Sequence, residues 1–212
     1  MSNFFFNVKY GLNHVLDING YDHLLFLVLL AVPYIFKDWK RVIVLVSLFT
    51  LGHTLSLVLA AYDMVSVDEK LVEFLIPITI FVAAIYNVFT GGVEDKNKKI
   101  SVLFFTALAF GIIHGLGFAR EFTMVFGDES NKLLALLEFA LGIELAQVII
   151  VFVILFLGFL FQTIFRFSKR DWVMVISSMV IGLVIPILFE NSIFLFDNIS
   201  NKYNRYLGSK LL

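Results

Sequence analysis

The sequence predicts an all-α protein, a polytopic membrane helix bundle with six transmembrane helices. Hydrophobic residues make up 60% of the 212 residues and charged ones 16%, against roughly 45 to 50% and about 25% in soluble domains. A chain in lipid must satisfy its backbone hydrogen bonds internally, and these apolar runs lack the alternation of a membrane barrel. Because each span needs about 20 apolar residues, we expect one integral membrane domain over residues 1–212.

The predicted spans are the apolar runs between charged residues. The first run contains the pair Asn19-Gly20, which is typical of a turn, so His14 is expected on a short outer helix or half-span that bends back toward Asp22-His23. The fifth run exceeds one bilayer crossing, which indicates a tilt, a kink or an extension. The amino terminus lacks the pattern of a cleavable signal peptide. The six runs are 11–36, 42–62, 72–90, 100–119, 133–165 and 172–196.

The basic residues predict the orientation of the bundle. Nine of the sixteen lysines and arginines follow the first, third and fifth spans, so the positive-inside rule places these loops in the cytoplasm and both termini outside it. The nine are Lys37, Lys40, Arg41, Lys96, Lys98, Lys99, Arg166, Lys169 and Arg170. This orientation puts most of the ionisable residues of the spans into one depth band, between the outer surface and mid-membrane.

Charge and cysteine content narrow the classes of partner. The net charge of −1 argues against a nucleic-acid partner, which requires a basic face. The sequence has no cysteine, so imidazole, carboxylate, amide and hydroxyl groups remain as metal ligands. The expected partners are the lipid bilayer and a divalent cation, and a homo-oligomer is compatible with the sequence.

The four histidines are the strongest functional signal. His14, His23, His53 and His114 lie inside or beside apolar runs, where ionisable side chains are costly and usually functional. We therefore predict that they converge with Asp22 on one metal site. The Asp22 carboxylate would either orient the ring of His23 or bind the metal directly.

The surroundings of two histidines favour contacts between helices. Thr50 and Thr54 share a helix face with His53, and Gly111 and Gly115 around His114 have the spacing that lets helices approach closely. The alternatives are an interfacial position for His14, interhelical hydrogen bonds for His53 and a purely structural role for His114.

Among the acidic residues, Glu144 is the preferred additional metal ligand, because Gln147 follows on the same helix face. Glu73 and Glu138 are either functional carboxylates or charges near helix N-termini, where the macrodipole favours anions.

The remaining polar and aromatic residues of the spans have weaker functional signals. Asn87 continues a polar path or makes an interhelical hydrogen bond, and Glu190 is peripheral. The 25 phenylalanines are interpreted as packing residues.

Four strings in this order resemble the HupE/UreJ family of membrane proteins, over about residues 11–150. They are GYDHLLF with His14 upstream, FTLGHT, FGIIHGLGFA and GIELAQ. The resemblance implies a nickel permease of the bacterial cytoplasmic (inner) membrane, with His14, Asp22 and His23 as nickel-recognition residues. Val15 follows His14 and seven residues separate His14 from Asp22, a spacing closer to the second, less characterised branch of the family.

Two functions remain open at this point. In the first, the histidines and carboxylates capture nickel or a related metal in the outer half of the bundle and pass it inward. In the second, the same ligands hold zinc, which activates water to hydrolyse a lipid or membrane-embedded substrate with Glu144 or Glu73 as general base. The resemblance favours transport. The inner halves of the spans contain few polar groups, chiefly Asn87 and Ser47, and this scarcity favours the enzyme.

Overall fold

A computed structural model describes residues 4–17, 20–92, 100–127 and 131–210, and these residues form helices and no strand. This confirms the all-α prediction. Asn19, Lys96, Lys98 and Lys99, which entered the predictions above, lie outside the described residues. The elements are α1 (Phe4–Leu16), α2 (Asp22–Ala31), a 3₁₀ turn (Phe36–Asp38), α3 (Trp39–Ala61), α4 (Glu69–Thr90), α5 (Ile100–Phe126), α6 (Lys132–Thr163) and α7 (Lys169–Lys210).

Five of the described helices, α3 to α7, are long and apolar enough to cross a bilayer. The first predicted span differs, because α1 ends at Leu16 and α2 begins at Asp22 and has only 10 residues. The break that the pair Asn19-Gly20 predicts within the run 11–36 is therefore confirmed, and the interruption contains Gly20. A sixth crossing stays a prediction that requires α1 and α2 to act together as two half-spans.

Side-chain caps begin α4, α6 and α7, the last through Ser168, which accepts a hydrogen bond from the Asp171 backbone N–H at 3.1 Å. Asp68 accepts a hydrogen bond from the Lys70 backbone N–H at 3.0 Å, and Asn131 accepts one from Leu134 at 3.1 Å. Such caps satisfy backbone donors that have no partner in the first helical turn. At the other end of α4, Gly91 adopts a left-handed conformation with φ of 56°, which glycine tolerates without strain.

Helix α5 continues seven residues beyond the predicted end at 119, through a charged pair. Arg120 forms an ion pair with Glu69 at 2.8 Å, and Glu121 accepts a hydrogen bond from the Tyr10 hydroxyl at 2.7 Å. Both charges have partners on neighbouring helices, so they do not end the helix as the hydropathy pattern predicts. Helix α7 likewise continues beyond the predicted 196 to Lys210.

Glycines allow two pairs of helices to pack closely. A side chain at Gly111 would overlap the Phe49 carbonyl of α3, and one at Gly142 of α6 would overlap the Val8 carbonyl of α1. The predicted close approach around His114 is therefore confirmed. The register of these contacts shows that α3 runs parallel to α5. The contact of Asn7 with Glu138 and the glycine contacts show that α1 runs parallel to α6.

The connections with basic residues meet at one end of the bundle, which we call the basic end. Val32 after α2 packs on Trp172 and Val173 at the start of α7, and Gly92 after α4 faces the same Val173. The opposite end, which we call the far end, contains the 62–68 connection and the ion pair of Glu69 with Arg120. The largest apolar core draws on α1, α2, α3, α5 and α6.

Candidate metal centre

The interruption between α1 and α2 brings two histidines together. In a continuous helix His14 and His23 would lie on opposite faces and about 13 Å apart along the axis, because each residue adds about 1.5 Å and 100°. The observed ring centroids are 4.7 Å apart. The break in the first predicted span thus forms one half of the site.

The closely packed pair α3 and α5 supplies the other half. The His53 ring lies 5.7 Å from the rings of both His14 and His23, and the His114 ring lies 5.3 Å from that of His23. His53 and His114 are 0% and 1% exposed. The predicted convergence of the four histidines with Asp22 is confirmed as geometry.

The potential ligand atoms form two overlapping groups. One comprises His14, His23 and His53, and the other Asp22, His23 and His114, with the ligand atoms of each group within 4.8 Å of one another. Nitrogen ligands of zinc lie about 2.0 to 2.1 Å from the ion, so two of them are at most about 4.2 Å apart. The ligand atoms of either group therefore lie close to the separations that one metal ion requires.

The ring nitrogens have few protein partners. Six buried ring nitrogens have no hydrogen-bond partner among the described residues: Nε2 of His14 and His23 and both ring nitrogens of His53 and His114. Leaving one buried polar atom unsatisfied costs about 1 to 3 kcal/mol. A divalent cation would satisfy one nitrogen on each ring that it binds, so this donor set fits a borderline metal.

Asp22 fixes the ring of His23. Its Oδ1 lies 3.2 Å from His23 Nδ1 and accepts a hydrogen bond from the His23 backbone N–H at 2.9 Å. An ionised carboxylate can only accept hydrogen bonds, so this contact assigns the proton to Nδ1. The Nε2 atom of His23 then remains available for a metal, as in carboxylate–histidine–metal arrangements.

The other predicted carboxylates lie apart from the two ligand groups. Glu138 is buried in the second turn of α6 and accepts a hydrogen bond from Asn7 at 2.7 Å. Glu144 accepts a hydrogen bond from Ser47 at 2.5 Å, and its role as a metal ligand stays a prediction. Glu73 and Glu190 are exposed.

Two amide side chains link helices. Asn87 donates to the Leu29 carbonyl at 2.8 Å, which confirms the interhelical alternative. Gln147 accepts a hydrogen bond from Thr50 at 2.8 Å. With the contact of Ser47 and Glu144, this gives two polar cross-links between α3 and α6.

Phenylalanines pack directly on the histidines, which the interpretation as general packing residues missed. The Phe118 ring lies 3.9 Å from the His14 ring, and the rings of Phe49 and Phe26 lie 5.1 and 5.5 Å from the His114 ring. The spacing held a usable signal: Phe49 and Phe118 each occur four residues from a histidine of their own helix, so each shares that histidine's face.

Two cavities approach the site from opposite ends. The far-end cavity has a volume of about 470 Å³, and its wall includes Asp22, Glu73 and Lys70. The basic-end cavity has a volume of about 340 Å³ and extends from Phe26 and Phe110 toward Lys169. The carboxylate of the candidate centre therefore lies at the wall of the far-end cavity.

Comparison with known proteins gives one family. The family described as HupE / UreJ protein matches residues 1–191, which include all four histidines and the helices that carry them. The chain matches no curated protein and no solved structure.

Proposed function

The chain belongs to the HupE/UreJ family, and we propose that it transports a divalent transition metal, nickel or a related ion, across the membrane. HupE/UreJ proteins are associated with nickel and cobalt transport. The observation that carries the proposal is the cluster of six buried ring nitrogens without a partner in the part of the chain that the structure describes. Imidazole favours nickel, cobalt or zinc over calcium and magnesium, which prefer oxygen ligands.

The far-end cavity supports a path toward the centre. A cation in this cavity would meet the carboxylates of Glu73 and Asp22, and Asp22 contacts His23 of both ligand groups. In this proposal the ligands are His14, His23, His53 and His114, with Asp22 orienting His23. Glu144 would act as an additional ligand only if it left Ser47.

The hydrolase alternative requires a general base next to the metal. Glu144 is hydrogen-bonded to Ser47, and neither Glu144 nor Glu73 belongs to a ligand group among the described residues. These contacts give the hydrolase no support.

We further propose that the basic end faces the cytoplasm and that both termini lie outside it, following the positive-inside rule. Because the sequence has no cysteine, single cysteines report their own side of the membrane. Met64→Cys in the 62–68 connection should react with an impermeant reagent added to intact cells, and Lys37→Cys should not. The reverse pattern would invert the proposed direction.

Uptake by purified protein in liposomes tests the transport function. Wild-type protein should accumulate Ni²⁺ that an internal indicator detects, and His53→Ala should reduce uptake to the rate of empty liposomes. Leu55→Ala is the matched control, because Leu55 is exposed on the same helix. A wild-type protein that retains stoichiometric metal through dialysis but moves none would contradict transport and indicate a resident ion.

A further inference from the structure

Three phenylalanines lie between the histidines and the basic-end cavity, and we call Phe26, Phe49 and Phe110 the aromatic layer. The Phe26 ring stacks on Phe49 at 4.8 Å and contacts Phe110 at 5.4 Å. The rings of Phe26 and Phe49 also contact His114. Because Phe26 and Phe110 line the cavity as well, one layer of rings separates the candidate metal centre from it.

The basic-end cavity is large enough for a hydrated ion. Its volume is about 340 Å³, and one water in the liquid occupies roughly 30 Å³, so the cavity has room for on the order of ten waters. An octahedral hydration shell needs about six. Polar side chains occur along the wall, including Asn87, Thr90 and Thr106, and Asp38 and Lys169 lie at the basic end.

We propose that this cavity is the exit vestibule for the transported cation and that the aromatic layer is the barrier that closes it from the metal centre. This inference rests on the proposed transport function. An apolar constriction blocks a hydrated ion because water leaves it, and release requires weak binding beyond the constriction. The mostly apolar wall of the vestibule meets that requirement, because water can replace the histidine ligands without a second tight site.

The two sides of the candidate metal centre then act differently on a cation. On the far side, the centre meets a cavity through the Asp22 carboxylate, which attracts a cation. On the basic side, it meets a cavity through the aromatic layer, which excludes a cation until the rings move. A cation would therefore reach the histidines more easily than it leaves them, and movement of the aromatic layer would control release.

The first test is whether water fills the vestibule. Thr106→Cys places a thiol on the vestibule wall, and Phe105→Cys places one on the adjacent residue, whose side chain is 71% exposed and does not line either cavity. Charged thiol reagents attack the thiolate, which forms in water and not in lipid. We expect Thr106→Cys to react from the basic end at least tenfold faster than Phe105→Cys. Equal rates, or no reaction of Thr106→Cys, would overturn the vestibule.

The second test is whether the aromatic layer limits exit. In liposomes with Ni²⁺ outside and an indicator inside, Phe26→Ala should increase the downhill flux about tenfold, with unchanged equilibrium binding of Ni²⁺. Phe118→Ala is the matched control, because Phe118 is also buried against a histidine but does not line the vestibule. Phe26→Leu, a smaller change, should give an intermediate flux if Phe26→Ala folds poorly. Equal fluxes for the Phe26 and Phe118 variants would overturn the barrier.

The outcomes separate this inference from the transport function itself. A protein that transports Ni²⁺ while Thr106→Cys stays unreactive would overturn the vestibule alone. A reactive Thr106→Cys in a wild-type background that moves no Ni²⁺ would overturn transport, and with it the role of the cavity as an exit.

Discussion

Two groups of polar side chains lie one helical turn apart on α3 and differ in their partners. In the cross-links to α6, Thr50 donates to Gln147 and Ser47 donates to Glu144. One turn further along α3, both ring nitrogens of His53 are buried without a partner among the described residues. The rings of His14 and His23 lie 5.7 Å from that of His53, and His14, His23 and His114 together contain four more nitrogens without a partner among the described residues.

The difference distinguishes side chains that hold helices together from side chains arranged to bind a ligand. Each cross-link satisfies its hydroxyl donor within the protein, and only the Nε2 atom of Gln147 in this group is buried without a partner among the described residues. The histidine cluster exposes little surface and satisfies few of its nitrogens, so its free energy depends on what binds there. Substitutions in the two groups should therefore change different observables, metal affinity in one and stability in the other.

The largest effect is expected for His23→Ala. His23 belongs to both ligand groups, so its loss should weaken Ni²⁺ binding by more than the roughly 10- to 100-fold typical for loss of an orienting partner. Equilibrium dialysis of the purified protein measures this, with Leu24→Ala as the exposed neighbouring control. A variant that stays folded and keeps its full metal content would remove the histidine cluster from the site.

A smaller loss is expected for Asp22→Asn. The amide keeps the size of the side chain but removes the charge that holds the proton on His23 Nδ1, and loss of such a partner costs roughly 10- to 100-fold in metal affinity. The measurement is a Ni²⁺ titration of the variant beside wild type. If affinity falls as far as in His23→Ala, Asp22 is a direct ligand and not an orienting residue.

Thr50→Val tests the cross-links. The variant loses the hydrogen bond to Gln147, and interhelical hydrogen bonds in membranes average about 0.6 kcal/mol. Unfolding by denaturing detergent should show a loss of that size, with Ni²⁺ affinity unchanged. Thr54→Val on the next turn is the control. A large fall in Ni²⁺ affinity would show that the cross-link and the metal centre are one functional unit.

The smallest effect is expected for Glu144→Gln. The amide oxygen can still accept the hydrogen bond from Ser47, so both stability and Ni²⁺ affinity should stay within error of wild type. Metal analysis of the purified variant decides the point. A clear loss of metal would establish Glu144 as a ligand, as the sequence predicts, and would erase the distinction between the two groups.

The sequence predicted the helical class and the convergence of the histidines because both depend on local, strong signals. Apolar runs of about twenty residues can adopt few structures in lipid, and an imidazole within such a run requires polar or metal partners. The glycines at 111 and 115 also predicted close packing next to His114, and the pair Asn19-Gly20 predicted a break in the first span. Each of these inferences required only residues near one another in the chain.

The partners of the carboxylates could not be predicted from the hydropathy pattern of the sequence. Buried Glu138 accepts a hydrogen bond from Asn7, 131 residues earlier, and Arg120 pairs with Glu69 on another helix. These partners depend on which helices are neighbours and in which register. The basic-end cavity could not be predicted for a similar reason, because a space between helices depends on how several helices pack and not on the sequence of any one of them.

The position of His23 in both ligand groups limits how many ions the centre can hold. A neutral imidazole whose Nδ1–H is donated to Asp22 has a single lone pair, on Nε2. For a chain that binds metal as proposed, the two groups would therefore be alternative positions for one ion, and a second ion would also meet the charge of the first in a medium of low dielectric constant. Saturation with metal should accordingly follow a simple hyperbola, and two different metals should compete for the centre without cooperating.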